Sequence, residues 1–182
     1  MFMDVNKKID IFFDETECPM CKSRVNTHFE TLDIPHFGEL LLFSLICKNC
    51  GYKKNDLFNV YEKEPKRHIF HFNDKSDLNI KVVKSGSCTI RIPEFGTIIE
   101  PGAESEGYIT NIEGIIYRIK DIVISIEKDA NEEETLTNIQ ELKSKLKEAL
   151  EGFFNFTLIL EDPSGNSAIL SDDKSKLIVE DL

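Results

Sequence analysis

Cys18-Pro19-Met20-Cys21, answered after 25 intervening residues by Cys47-Lys48-Asn49-Cys50-Gly51, is the stretch on which the fold turns. A Cys-x-x-Cys turn points both sulfurs to one side and aims backbone N–H groups at them, which favours thiolate over thiol. Two such pairs supply the four ligands of one tetrahedral ion. Gly51, directly after the second pair, can take the left-handed conformation that such a knuckle needs. The stretch between the pairs is slightly longer than the usual run of about 15–20 residues, and it suits two strands that carry the pairs together. The expectation is one structural zinc per chain, bound by Cys18, Cys21, Cys47 and Cys50. Two disulfides would suit a secreted chain, but Met1–Glu17 contains no apolar core of signal-peptide length and its acids are misplaced. A redox dithiol needs only one Cys-x-x-Cys and usually sits in a βαβ context, which the pattern lacks. Iron accepts the same four thiolates and stays open at this level.

Composition bounds the partners. The chain has 182 residues and a formal charge of −11, with 8 basic and 11 acidic residues over 1–64 and 14 and 22 over 65–182. Four thiolates on one dication add two further negative charges. Both parts repel a phosphate backbone on average, so a basic protein partner fits better than nucleic acid. Lys22, Lys48, Lys53 and Lys54 crowd the cysteines. There alone a nucleic-acid-binding zinc ribbon survives as the alternative function. No apolar run reaches spanning length, which leads to the expectation of a soluble, cytoplasmic protein. The division expected is a zinc ribbon over 1–64 and a β domain over 65–182.

Residues 8–17 read as an extended lead-in to the first knuckle. Thr27–Leu32 and Glu39–Ile46 are strand candidates on either side of Asp33-Ile34-Pro35-His36-Phe37-Gly38, where Pro35 cannot donate a ladder hydrogen bond and Gly38 permits a turn. The run Leu40-Leu41-Leu42-Phe43 is more than so small a ribbon can bury alone. It predicts packing against the rest of the chain or an exposed contact surface. Short β-like segments follow at Leu57–Lys63, Arg67–Asn73, Leu78–Lys84, Ser87–Ile92 and Thr97–Glu100, and Ser85-Gly86-Ser87 reads as a hairpin signal. The period then changes. Ile112, Ile115, Ile116, Ile119, Ile122, Val123 and Ile126 recur at helical spacing, with Thr110 and Glu113 in a capping-box pattern, although the β-branched content pulls towards strand. A second helix over Asn131–Glu151 carries Leu136, Ile139, Leu142, Leu146 and Leu150 on one stripe and stops at Gly152. The short link Lys128-Asp129-Ala130 pairs the helices as a hairpin near 111–151. Strands return at Phe153–Leu160, Ser167–Leu170 and Lys176–Glu180, with a turn at Asp162–Asn166. The fold class read from this order is α+β, mainly β, with a helical hairpin inserted into the β domain.

The stretch Ile34-Pro35-His36-Phe37-Gly38-Glu39, then Ser44, then Cys47-x-x-Cys50-Gly51-Tyr52 with Asn55 nearby, resembles the ZPR-type zinc-finger family. The resemblance continues through Pro93-Glu94-Phe95-Gly96, Pro101-Gly102, Gly107, Thr110, Glu113-Gly114 and the closing Phe156–Ser167 segment. It covers Cys18 to Leu170, with segments in the right order beyond the generic cysteines. It implies a four-cysteine zinc ribbon followed by a double-stranded β-helix-like domain with a helical hairpin. Eukaryotic members carry two such modules in tandem, whereas this chain carries one and is similar to the archaeal form. The implied role is a chaperone-like or regulatory partner of translation elongation factor one-alpha, a GTPase with basic surfaces for tRNA.

Other candidate sites are weaker. His68 and His71 are three apart in a strand pattern, so their side chains face opposite ways and cannot share a metal. His28 and His36 fall between knuckles whose four cysteines are complete. Cys88 reads as a small buried hydrophobe. Ser164-Gly165-Asn166-Ser167 lacks the G-x-S-x-G order and suits a tight turn. Pro101–Gly107 lacks the lysine of a phosphate loop. No acid–base or nucleophile constellation emerges, and the chain is not read as an enzyme. Phe37, Leu41 and Phe43 are the candidate partner-binding residues, as apolar anchors within a polar rim.

Overall fold

Alternating side chains in the first third of the chain build four antiparallel strands, β1 (Asp10–Glu17), β2 (Arg24–Ile34), β3 (Gly38–Ile46) and β4 (Lys53–Asn59), hydrogen-bonded in that order. The computed structural model describes residues 10–34, 38–59, 63–102 and 105–182. Strand β4 lies earlier than the Leu57–Lys63 segment expected from sequence. Pairing of Phe29 with Phe43 and of Leu42 with Leu57 sets the register across β2, β3 and β4. Because side chains alternate, the apolar run on β3 divides between two faces. Leu40 and Leu57 are buried with Val83, and Leu42 and Leu170 pack against them. The opposite face sends Phe43 against Phe29, ring centroids 5.1 Å apart, and Leu45 into a small cluster with Val25, Cys18 and Cys47.

The rest of the chain is a sandwich of two sheets with a helical pair. Its strands are β5 (Lys66–Phe72), β6 (Lys81–Lys84), β7 (Thr89–Ile92), β8 (Thr97–Ile99), β9 (Tyr108–Asn111), β10 (Phe156–Asp162), β11 (Ala168–Leu170) and β12 (Leu177–Asp181). One sheet has the order β12-β5-β10-β7-β8 and the other β11-β6-β9. Helices α1 (Ile112–Asp129) and α2 (Glu133–Glu151) lie between β9 and β10. Phe70, Phe72, Ile90, Ile92, Leu158 and Leu160 fill the core from the larger sheet, and Ile112, Ile115, Ile116, Ile119 and Val123 enter it from α1. That stripe decides helix against strand. Burying each of these side chains is worth about 2 kcal/mol, against a propensity deficit of only a few tenths per β-branched residue. Ile122 and Ile126, counted on the same stripe in the sequence, are instead exposed.

Two local expectations are corrected. The N-cap of α1 is Asn111, whose Oδ1 accepts from the Gly114 N–H at 2.8 Å; the Thr110/Glu113 capping box does not form. Ser85-Gly86-Ser87 is not a hairpin turn, because β6 pairs with β9 and β11 while β7 pairs with β8 and β10. The serines cross between sheets and serve a carboxylate. Asp162, fully buried, accepts from the hydroxyls of Ser85 (2.8 Å), Ser87 (2.7 Å), Ser164 (2.8 Å) and Ser167 (2.7 Å). Burial alone would raise its pKa, but the donors from Ser87, Ser167 and Ser164 outweigh it and hold the group below the usual range. The Ser164–Ser167 segment is therefore a turn whose hydroxyls are committed. Cys88 is buried, and desolvation pushes its thiol up to about 11.

Strand β4 docks on the sandwich by close backbone approach. A Cβ on Gly107 would lie 2.8 Å from the Leu57 nitrogen, and the Asn55 N–H donates to Glu106 Oε1 at 3.2 Å. Gly107→Val is therefore expected to cost about 2 kcal/mol through overpacking. Amide exchange should rise in β4 and β9 while β10 stays protected. A second prediction concerns His68, which faces the core while His71 faces solvent. Burial, reinforced by Lys63 and Lys66 and opposed by Asp162, lowers the His68 pKa to about 4, and its Nδ1 has no hydrogen-bond partner among the described residues. The unfolded imidazole titrates near 6.5, so between about pH 6.5 and 4 the unfolded chain takes up a proton that the folded one refuses. Stability should fall as pH drops through that window. His68→Leu should flatten this part of the profile of urea midpoints.

Candidate metal centre

Two turns of the same construction bring the cysteines together. In the first, the Cys18 N–H donates to the Ser23 carbonyl and the Lys22 N–H to the Cys18 carbonyl, both at 2.9 Å. In the second, the Cys47 N–H donates to the Tyr52 carbonyl at 2.7 Å and the Gly51 N–H to the Cys47 carbonyl at 2.9 Å. Each turn closes through a left-handed residue, Gly51 at φ 77° and Lys22 at φ 61°. The sequence reading found Gly51 and missed Lys22, whose signal was its equivalent place one residue after a Cys-x-x-Cys.

The four sulfurs lie within 4.8 Å of one another. Cys18 Sγ is 3.6 Å from Cys50 Sγ, and Cys21 Sγ is 3.5 Å from Cys47 Sγ. A tetrahedron with metal–sulfur bonds of about 2.3 Å has edges of about 3.8 Å, so the cluster has the dimensions of a four-thiolate site. No pair approaches the disulfide length of about 2.05 Å, and all the cysteines are free. Cys18 and Cys47 are buried, Cys21 is half-buried and Cys50 is exposed.

The ionisation of the thiols is uneven. Ser23 Oγ stands 2.8 Å from Cys21 Sγ and Asn49 Nδ2 donates to it at 3.5 Å. The Ser23 hydroxyl first, then Asn49, lowers the Cys21 pKa to about 5. Cys47 is also lowered, chiefly by the backbone N–H of Cys50. At Cys50 the Tyr52 N–H lowers the pKa, but desolvation and the neighbouring sulfurs prevail and push it up to about 12. Four adjacent negative charges cannot coexist without a cation. A dication at their centre reverses that repulsion.

The predicted partner-binding residues fall differently. Leu41 and Phe43 are half-buried on the β3 face turned away from Leu40 and Leu42. Phe37 and His36 lie outside the described residues. Beside the knuckles a groove is lined by Arg24, Asn26, His28, Ser44, Ile46 and Lys48 among others. Of the four lysines around the cysteines Lys48 lines it, joined by Arg24, which also faces Glu15 at 3.6 Å.

Comparison with known proteins adds to this geometry. The ZPR1 zinc-finger domain model matches residues 11–62 and the ZPR1 jelly-roll domain model matches residues 76–182. A ZPR1-like protein of Methanocaldococcus jannaschii is 36% identical over 169 residues, covering 91% of this chain and 84% of the relative. The zinc finger chaperone zpr1 of Schizosaccharomyces pombe is 36% identical over 82% of this chain but 34% of its own length. The human zinc finger protein ZPR1 is 31% identical over 84% of this chain and 34% of its length. The chain thus spans most of the archaeal relative and about a third of the eukaryotic ones.

The geometry predicts that a dication holds the two turns together. Cys47→Ser should lose bound zinc and disorder the ribbon while the sandwich stays folded, since the ribbon's own apolar cluster is small. Cys88→Ser should keep full zinc. Gly51→Ala meets no atom within 4 Å, so its cost should be conformational, about 1 kcal/mol. Zinc content by elemental analysis and a thermal melt check all three.

Proposed function

Because the chain belongs to the ZPR1 zinc-finger family, we propose that it is a zinc-dependent, chaperone-type binding protein whose partner is translation elongation factor one-alpha. The observation that carries the chaperone reading is the 36% identity, over 82% of this chain, to a relative named a zinc finger chaperone. The partner comes from the family resemblance of the sequence. It agrees with charge, because a chain at −11 complements a factor with basic tRNA-binding surfaces. In this reading one zinc ion is held by Cys18, Cys21, Cys47 and Cys50, the ribbon extends over 1–64 and the β domain over 65–182. The protein works in the cytoplasm by binding rather than catalysis.

Phe37, Leu41 and Phe43 are the proposed contact. Leu40 and Leu42 are occupied by the sandwich, which leaves their neighbours on the opposite face of β3 as the accessible part of the apolar run. Phe43 also packs against the ribbon's own cluster, so Leu41 and Phe37 are the residues to test. The groove with Arg24, His28 and Lys48 supports nucleic acid as the second reading. The overall charge opposes it.

Calorimetric titration of the zinc-loaded chain against the factor from the same source, in each nucleotide state, tests the proposal. Binding is expected to weaken as salt rises. Leu41→Ala and Phe37→Ala should each weaken it about tenfold with zinc content unchanged. Absence of binding in every nucleotide state overturns the partner. Full affinity in both variants overturns the contact face. RNA binding with a steep salt slope favours the second reading.

A further inference from the structure

The two cysteine turns match position for position, and the match breaks at two side chains. Cys18, Lys22 and Ser23 in the first correspond to Cys47, Gly51 and Tyr52 in the second, because the same pair of backbone hydrogen bonds closes each turn. By the same count Met20 corresponds to Asn49. Both departures from the repeat put a side-chain donor beside one sulfur. Ser23 Oγ is 2.8 Å from Cys21 Sγ, and Asn49 Nδ2, from the opposite turn, reaches the same sulfur at 3.5 Å. Tyr52, in place of a serine, packs against the apolar cluster of Val25 and Leu45. Met20, in place of an amide, is 71% exposed and its side chain has nothing to donate.

Both side chains also lace the turns together. The Ser23 hydroxyl lies 3.6 Å from Cys47 Sγ in the second turn, while its carbonyl accepts from the Cys18 N–H in the first. Asn49 crosses the other way, from the second turn to Cys21. With a metal bound, the direction of the short contact is fixed. A thiolate on a dication carries no proton, so the Ser23 hydroxyl must be the donor. Four thiolates on one dication hold two negative charges in excess, and each donor draws charge away from sulfurs that repel one another. A hydrogen bond to an ionised acceptor is also about twice as strong as one between neutral groups. Ser23 and Cys21 are both half-buried, so water can replace that donor only in part.

We propose that Ser23 and Asn49 are positioning residues of the metal centre. Their donors fix the Cys21 thiolate between the two turns and govern how firmly the chain keeps its metal. Ser23 is the stronger of the two, because its contact is short and half-buried, whereas Asn49 is exposed and its contact is long. Partners in the shell outside the ligands typically contribute about ten- to hundredfold to metal affinity. A single neutral hydroxyl on one ligand of four belongs at the lower end of that range. The inference rests on the reading of the four cysteines as one metal site and is independent of any partner assigned to the ribbon.

Competition for zinc between the full chain and a chromophoric chelator, together with the absorption spectrum of the cobalt-loaded chain, is the test. Ser23→Ala is expected to weaken zinc binding about tenfold. Asn49→Leu should weaken it less, and Ser23→Thr, which keeps the hydroxyl, should stay close to the unsubstituted chain. A turn loosened by Ser23→Ala would also lose metal, so the spectrum separates the two roles. Charge transfer to cobalt starts from a sulfur lone pair, which a hydrogen bond lowers in energy. Ser23→Ala should therefore move that band to longer wavelength while the d–d bands of the tetrahedral ion stay in place, and Ser23→Thr should bring it back. An unmoved band overturns the proposal, as does unchanged zinc affinity in Ser23→Ala. A Ser23→Thr chain as weak and as shifted as Ser23→Ala overturns the role of the hydroxyl. If the unsubstituted chain takes up neither zinc nor cobalt, the metal reading itself fails and this inference falls with it.

Discussion

Four sulfurs that must reach one point constrain the first third of the molecule. Sγ separations of 3.5 and 3.6 Å require the two Cys-x-x-Cys turns to meet almost face to face, although 25 residues separate them in the chain. Long antiparallel strands satisfy that requirement, because β2 leaves the first turn and β3 returns to the second in continuous register from Ile34↔Gly38 to Thr27↔Leu45. Once that register is set, the two-residue period leaves no choice about β3. Leu40 and Leu42 face one way, and Leu41, Phe43 and Leu45 face the other. The cysteine turns thereby dictate which part of an apolar run is offered to the rest of the protein.

The sandwich accepts that offer at a place where its own backbone is bare. Leu40 and Leu57 meet Val83 beside Gly107, where any side chain would strike the Leu57 nitrogen. The apolar contact is small, and close backbone approach defines its geometry. The ribbon and the sandwich are consequently joined by shape as much as by area. The chemistry at the sulfurs and the packing at Leu40 lie on the same strand.

Inside the sandwich a second constraint is electrostatic. Asp162 is buried without a cationic partner at hydrogen-bond distance among the described residues, and hydroxyls from Ser85, Ser87, Ser164 and Ser167 replace the water it lost. A carboxylate in that setting costs several kcal/mol unless its lone pairs are met. The segments after β6 and after β10 are held together by meeting it. Lys84, also buried, donates to the Ser85 carbonyl and Ser105 Oγ and lies 5.5 Å from the Tyr108 ring. A line of polar groups thus runs through the joint between the two sheets, where an apolar core would have left the crossover at Gly86 without a specified path.

Cysteine spacing, helical periodicity and the short β-like segments that overlap β5, β7 and β10 were legible because each is a local property of the chain. Ile112–Val123 showed its helical stripe despite unfavourable propensity, and Cys18, Cys21, Cys47 and Cys50 showed their ligand pattern without any knowledge of distance. What misled was also local. Ser85-Gly86-Ser87 has the composition of a hairpin turn, yet its hydroxyls serve a carboxylate 75 and 77 residues away in the chain. Thr110 and Glu113 have capping-box spacing, yet Asn111 between them takes the cap. Period and spacing by themselves placed the helical pair and brought out the four cysteines that cluster. Only the tertiary structure decided which face of β3 meets the sandwich and which serines hold Asp162. Those relations join strands far apart in sequence, and burial and hydrogen bonding act on neighbours in space, wherever the chain has placed them.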